Sequence, residues 1–299
     1  MVREVMGVLG RLSFAASALT NEKPFLGPVY TWVSALKELE CASIPWSIRL
    51  ILRWFQKRLQ EGGRQQEAPN IFVEEQGDLF RSDAKAEDGK AFIGGWECKG
   101  DTPTKAARWY ALEVKEKEFP WAFAKGHDPG RVIAALELLG TIVSIIYFCE
   151  PQSATTKVSF KMTGATDNQG NSLAMIKMMS TKWPLTALIM EMSEQLRKRN
   201  AELHLRWVRR TENQEADDLT NGNFERFDMH NRIHINAAEI PWEVLGWVMA
   251  ASQEIYEKVV RERLHASGKH ASGKRGAAVE RSSRRRTSAA KRLRATRPW

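Results

Sequence analysis

Cysteine is scarce in this chain. Three cysteines, Cys41, Cys98 and Cys149, are spread over 299 residues, with no CxxC pair and no Cys/His cluster. That excludes a disulfide-stapled scaffold and a zinc site of ordinary ligand spacing. It predicts a reduced intracellular protein, nuclear or cytoplasmic. Long apolar runs are scarce too. The most apolar run, residues 132–148, contains Glu137 and is 17 residues long, which predicts a buried helix and no membrane span. Near the N-terminus, Glu4, Gly7, Gly10 and Arg11 interrupt any apolar stretch, so no cleavable leader is expected.

An excess of either charge is missing from most of the chain. The formal net charge is +9, from 45 Lys and Arg against 36 Asp and Glu. Residues 265–299 hold 11 of the basic residues and one acid, Glu280, which leaves residues 1–264 with 34 basic and 35 acidic side chains. The basic character therefore belongs to the tail. Arg284, Arg285, Arg286, Lys291 and Arg292 suit a polyanion such as nucleic acid, and read equally well as a nuclear import signal. With few apolar anchors, residues 265–299 are expected to be disordered.

Apolar spacing predicts three helices over residues 1–62: one through Val5, Val8, Leu9, Leu12 and Ala16, a second over 28–39 and a third over 45–60. These form a small helical subdomain. Residues 63–77 are polar and read as a linker. A unit over residues 78–222 follows, with strands near 79–86, 89–98 and 107–114, the first two joined through Asp88-Gly89. Asp128 and Pro129 open a helix over 129–148. An alternating strand at 156–166, helices at 172–179 and 184–199, a strand at 203–208 and a short helix from Asn213 complete the unit. Residues 223–264 read as a helical extension, with an amphipathic helix over 239–264. The fold class is α/β: a mixed five-stranded sheet flanked by helices, preceded by the helical subdomain.

Four carboxylates fall in four separate predicted elements: Asp83, Glu137, Asp167 and Asp217. Converging acids on rigid elements are what metal-assisted phosphodiester hydrolysis needs, because hard cations take oxygen ligands. Glu137 is the most telling. It lies mid-helix on a face with Ala134, Gly140, Thr141 and Ser144, which lets the helix approach a sheet closely. A carboxylate buried there must be neutral, paired to an arginine or metal-bound. Asp83 and Asp167 read alone as turn residues, and Asp217 as an acid in a first helical turn after an Asn213 cap. Asp218 is the register alternative to Asp217.

These residues carry a resemblance. The stretch over residues 9–32, LGRLSFAASALTNEKPFLGPVYTW, resembles the segment that follows the polymerase palm in retroelement reverse transcriptases. RSDAKA around Asp83, the Gly94-Gly95-Trp96 strand, TDN at Asp167 and Asn213-x-x-Ala216-Asp217-x-Leu219 resemble the motifs of the ribonuclease H domain of those proteins. The resemblance covers residues 8–220. It implies a ribonuclease H-like fold in which Asp83, Glu137, Asp167 and Asp217 hold two Mg2+ ions, with Mn2+ as the other candidate. It implies an RNA–DNA hybrid as substrate, with Arg206, Arg209 and Arg210 as phosphate contacts beside the basic tail. A histidine of the cellular enzymes is replaced here by Arg209, Arg210 and Thr211. No Tyr-x-Asp-Asp motif is present; the resemblance then implies the C-terminal part of a larger ancestor, or a gene model cut from one, with a polymerase half in trans as a further option. An inactive relic that binds nucleic acid through its tail is the competing expectation. A proofreading-type exonuclease is weaker, because Ala84-Lys85 follows Asp83 where Asp-x-Glu is needed.

Overall fold

The computed structural model describes residues 2–17, 21–35, 44–60, 71–74, 77–100, 102–124, 126–151, 158–180 and 182–247. The basic tail, Cys41 and most of the predicted helix over 239–264 lie outside these residues.

Three N-terminal helices, α1 (Val2–Ser17), α2 (Leu26–Ala35) and α3 (Trp46–Gln60), follow the predicted apolar spacing. Between α1 and α2, Glu22-Lys23-Pro24 breaks the helix and a 3-10 turn, Lys23–Phe25, takes over. Proline suits such a first turn because it has no N–H to leave unpaired. Phe25 stacks on Trp54 of α3 with ring centroids 3.6 Å apart, and Arg58 pairs with buried Glu22 at 2.8 Å. Buried apolar residues of this region, among them Leu9, Phe25, Ile48 and Phe55, belong to the same core as the sheet and helices that follow, whereas Val8, expected on the apolar face of α1, is exposed.

The sheet comprises β1 (Ile71–Glu74), β2 (Phe80–Glu87), β3 (Lys90–Glu97), β4 (Trp109–Val114), β5 (Val158–Thr166) and β6 (Ala201–Trp207). Strands β2, β3 and β4 form the predicted antiparallel meander. Asp88 and Gly89 both have positive φ, 51° and 72°, as a two-residue hairpin turn requires. Strand β5 runs parallel to β2 and β6, so the order across the sheet is β4-β3-β2-β5-β6. Helices lie against this mixed sheet, in the α/β arrangement expected from the sequence.

The expected linker over residues 63–77 needs correction, because Ile71–Glu74 form a strand. Strand β1 pairs with Val158–Lys161 of β5, and β2 then pairs with Gly164 and Ala165. The two are pieces of one interrupted strand. From Glu74 to Phe80 the chain advances six residues while β5 advances three, from Lys161 to Gly164. Ile71, Phe72 and Val73 favour extended backbone, but four residues flanked by Glu, Gln and Gly carry too little alternation to stand out.

After the short helix α4 (Pro120–Phe123), helix α5 (Ile133–Phe148) packs on β2 and β3, and α7 (Leu185–Lys198) lies against α5 and β6. Asp128 accepts the Gly130 N–H at 3.0 Å, giving the predicted start. With the turn before it, α5 is the one helix among the described residues long and apolar enough to cross a membrane. It is instead mostly buried in the protein core. The small residues around Glu137 make this close approach possible: a Cβ on Gly140 would stand 3.4 Å from the Asp83 carbonyl oxygen. Tyr110, wholly buried, donates its hydroxyl to the Gly140 carbonyl at 2.7 Å. On β3 the glycine pair serves both faces. A Cβ on Gly94 would meet Leu219 of α8 (Gln214–Thr220) at 2.8 Å, and one on Gly95 would meet Ser144 of α5 at 2.6 Å.

Residues 223–247 wrap back over this frame; the helix expected from 239 begins only at 245, and the rest of it lies outside the described residues. Residues 240–244 are not helical; Pro241, which has no N–H to donate, interrupts the pattern. This segment is fastened by one buried acid. The Glu191 carboxylate on α7 accepts the backbone N–H groups of Glu243, Val244 and Leu245 at 2.7–3.1 Å and the Gln195 amide at 2.7 Å. Burial raises the Glu191 pKa while these donors oppose the rise. Replacing it with Ala takes this acceptor from three backbone N–H groups and from the Gln195 amide. The Glu191→Ala variant is expected to lose about 3 kcal/mol of stability in chemical denaturation, with Glu191→Gln losing less. Equal stability of all three proteins would show that the anchor contributes nothing.

Candidate metal centre

Strands β2 and β5 are parallel neighbours, with Arg81 opposite Ala165. Two residues further along each strand direction stand Asp83 and Asp167. Asp167 comes directly after Thr166, the last residue of β5, and just before Asn168, which caps α6 (Gln169–Lys177) by accepting the Asn171 N–H at 3.0 Å. Glu137 enters from the early part of α5. One carboxylate oxygen from each of Asp83, Glu137 and Asp167 lies within 4.8 Å of the others. Asp83 and Glu137 are buried, and Asp167 is partly exposed.

Neighbouring donors hold the three acids in place. Thr220 of α8 donates to Asp83 Oδ2 at 3.1 Å, and Thr166 donates to Glu137 Oε2 at 3.3 Å. The Trp207 indole N–H binds the Asp167 carbonyl at 3.0 Å. The Asn171 amide ties α6 to α5 through the Ala134 carbonyl at 2.8 Å. Thr220, Thr166 and Trp207 were not singled out from the sequence. Their signal is slight: a hydroxyl residue beside or three positions after a candidate acid, and an aromatic at a strand end.

Burial, reinforced by the charges of Asp167 and Asp217, pushes the Asp83 carboxyl up to about 7 against the hydrogen bond from Thr220. Burial likewise raises Glu137, helped by the charges of Asp167 and Asp83. No arginine pairs with Glu137 among the described residues, so the salt-bridge alternative has no partner there. Asp167 Oδ1 is buried and has no hydrogen-bond partner. Mutually opposed carboxylates with an orphaned oxygen fit a divalent cation, and an all-oxygen donor set suits a hard one.

The fourth predicted acid is close but engaged elsewhere. Asp217 acts on Asp83 through its charge, while its own oxygens bind Arg210 at 2.5 Å and Asn221 at 2.8 Å. Asp218 turns away, to Gln214 at 3.2 Å and Arg226 at 3.2 Å. Asn213 does not cap α8 with its side chain. Its amide donates to the Ser82 carbonyl at 3.1 Å, so it ties the helix to β2 beside Asp83.

The three predicted phosphate contacts also separate. Arg206 pairs with Asp78 at 2.7 Å, an acid it shares with Arg81. Arg210 is bound to Asp217, and Arg209 is exposed at the end of β6. Arg284, Arg285, Arg286, Lys291 and Arg292 lie outside the described residues.

No protein-family model matches this chain, and no curated protein matches it. Among solved structures, it is similar to the crystal structure of RNase H1 from the halophilic archaeon Halobacterium salinarum NRC-1. The likeness has 14% identity and a TM-score of 0.32, and it covers 52% of this chain and 98% of that chain.

Proposed function

We propose that this protein is a retroelement-derived ribonuclease H-like endonuclease that cuts the RNA strand of RNA–DNA hybrids with two Mg2+ ions, Mn2+ being able to substitute. The observation that carries this reading is the convergence of Asp83, Glu137 and Asp167 from a strand, a helix and a strand end, with ligand oxygens within 4.8 Å. Divalent cations bound there would activate water for attack on the phosphodiester and stabilise the leaving oxygen.

Asp83, Glu137 and Asp167 would supply the protein ligands, with Asp217 the fourth. Thr220 and Thr166 orient two of the carboxylates, and Trp207 fixes the backbone that carries the third. Arg209 and the arginine-rich tail would add salt-sensitive affinity for phosphates. Choice of a hybrid would come from contacts with 2′-hydroxyls across the minor groove. An intracellular setting and a polymerase half supplied in trans belong to the same proposal.

A second reading, a relic that binds nucleic acid without cutting it, draws support from the hold of Arg210 on Asp217. Cleavage of a labelled RNA–DNA hybrid by the full chain, with Mg2+, with Mn2+ and with chelator, separates the two. Metal-dependent cutting of the RNA strand alone supports the nuclease. Binding without cutting, lost on removal of residues 265–299, supports the relic.

A further inference from the structure

Asp217 is near the triad, yet both of its oxygens are taken, one by Arg210 and one by Asn221. Asp167 offers the contrast of a buried oxygen with no hydrogen-bond partner. The Arg210 side chain is 75% exposed and that of Asp217 only 16%. The guanidinium is therefore the solvent-facing member of the pair. It starts the 3-10 turn Arg210–Glu212, which joins β6 to α8. Besides Asp217, the charges of Asp83 and Asp167 act on this guanidinium. A positive charge thus stands beside the acidic cluster, paired with Asp217.

We infer that Arg210 is a positioning residue that withholds Asp217 from a second cation until a substrate phosphate draws its guanidinium away. This rests on the metal-centre reading given above. Arginine pairs with phosphate as well as with carboxylate, in the same forked geometry. A phosphate arriving at the site offers Arg210 an alternative partner. Asp217 is then freed at the moment the substrate is present, and the positive charge beside the cluster is offset. The triad needs no such exchange, so the two cation sites are unequal: one ready in the free protein, the other assembled with substrate.

The test counts ions without measuring cleavage. Mn2+ titrations of the full-length protein, followed by the electron paramagnetic resonance signal of free Mn2+, give stoichiometry and affinity in the absence of hybrid. The wild type is expected to bind one ion tightly. The Arg210→Gln variant should bind a second, its affinity improved about tenfold or more by loss of the competing charge. Arg210→Lys keeps the charge and should behave as the wild type. Adding Asp217→Asn to Arg210→Gln should abolish the gained site. Identical titrations of the wild type and Arg210→Gln, with Mn2+ bound in both, would overturn the role given to Arg210 and leave the triad intact. No Mn2+ bound by either protein would overturn the metal centre itself, and this inference with it.

Discussion

Asp83→Asn and Asp167→Asn are each expected to reduce hybrid cleavage by about three orders of magnitude, with the fold intact. Both substitutions keep side-chain volume and remove only charge and ligand strength. Asp83 lies at the centre of β2, where Thr220 can still donate to the amide oxygen, so the local packing survives. Asp167 follows the end of β5, with its backbone held by Trp207. The measurement is the initial rate of RNA-strand cutting at saturating Mg2+, alongside a circular dichroism spectrum. Wild-type rates in both variants would refute the assignment of the centre. Asp218→Asn is the control. Asp218 faces Gln214 and Arg226, so its loss should leave the rate within a few-fold of wild type.

The second large effect is on stability and reads the same acids without any substrate. In the unfolded chain Asp83 and Glu137 titrate at their ordinary values of 3.8 and 4.5. In the folded, metal-free protein both are raised, Asp83 to about 7. Below the ordinary values both states hold the protons, and pH has no effect through these groups. Above them the unfolded state releases protons that the folded state retains, so stability falls as pH rises through the folded values. For Asp83 alone the loss is on the order of 4 kcal/mol across the full window. Melting temperatures in chelator should therefore drop between about pH 4 and about pH 7 as Asp83 passes from its unfolded to its folded value. Mg2+ or Mn2+ should restore most of the loss at the higher pH and little at the lower, because only ionised carboxylates bind cations well. Asp83→Asn should flatten the profile in chelator. That variant is predicted to be slower as an enzyme and more stable as a fold. A profile in chelator that is flat for the wild type would show that the three acids do not oppose one another.

Much of the fold was legible because its signals are local. The alternation in β5, the Asp88-Gly89 turn and the Asp128-Pro129 helix start are short-range chemistry, and each lies where its residues place it. The small-residue face of α5 announced the close approach that Gly140 and Ser144 make. Strand β1 was missed because four residues carry little pattern. The Glu191 anchor was missed because its acceptor and donors are some fifty residues apart, as the Glu191–Glu243 bond shows. At the centre, the residue types and their elements pointed to Asp83, Glu137 and Asp167 together. The state of Asp217 was not legible. A long arginine seven positions earlier can reach solvent, a phosphate or the acid, and only its rotamer decides.

The burial of Glu137 beside Asp83 has a consequence for how this chain can drift. Two acids driven above their ordinary titration range, next to a third, weaken the cation-free fold. Exchanging any one of them for its amide is a single conservative change that relieves the repulsion. A sequence under selection for folding alone would be pushed toward those exchanges, since stability gains of this kind are easily reached. The chain carries all three, and a cation bound among them would offset the repulsion that the cation-free fold bears.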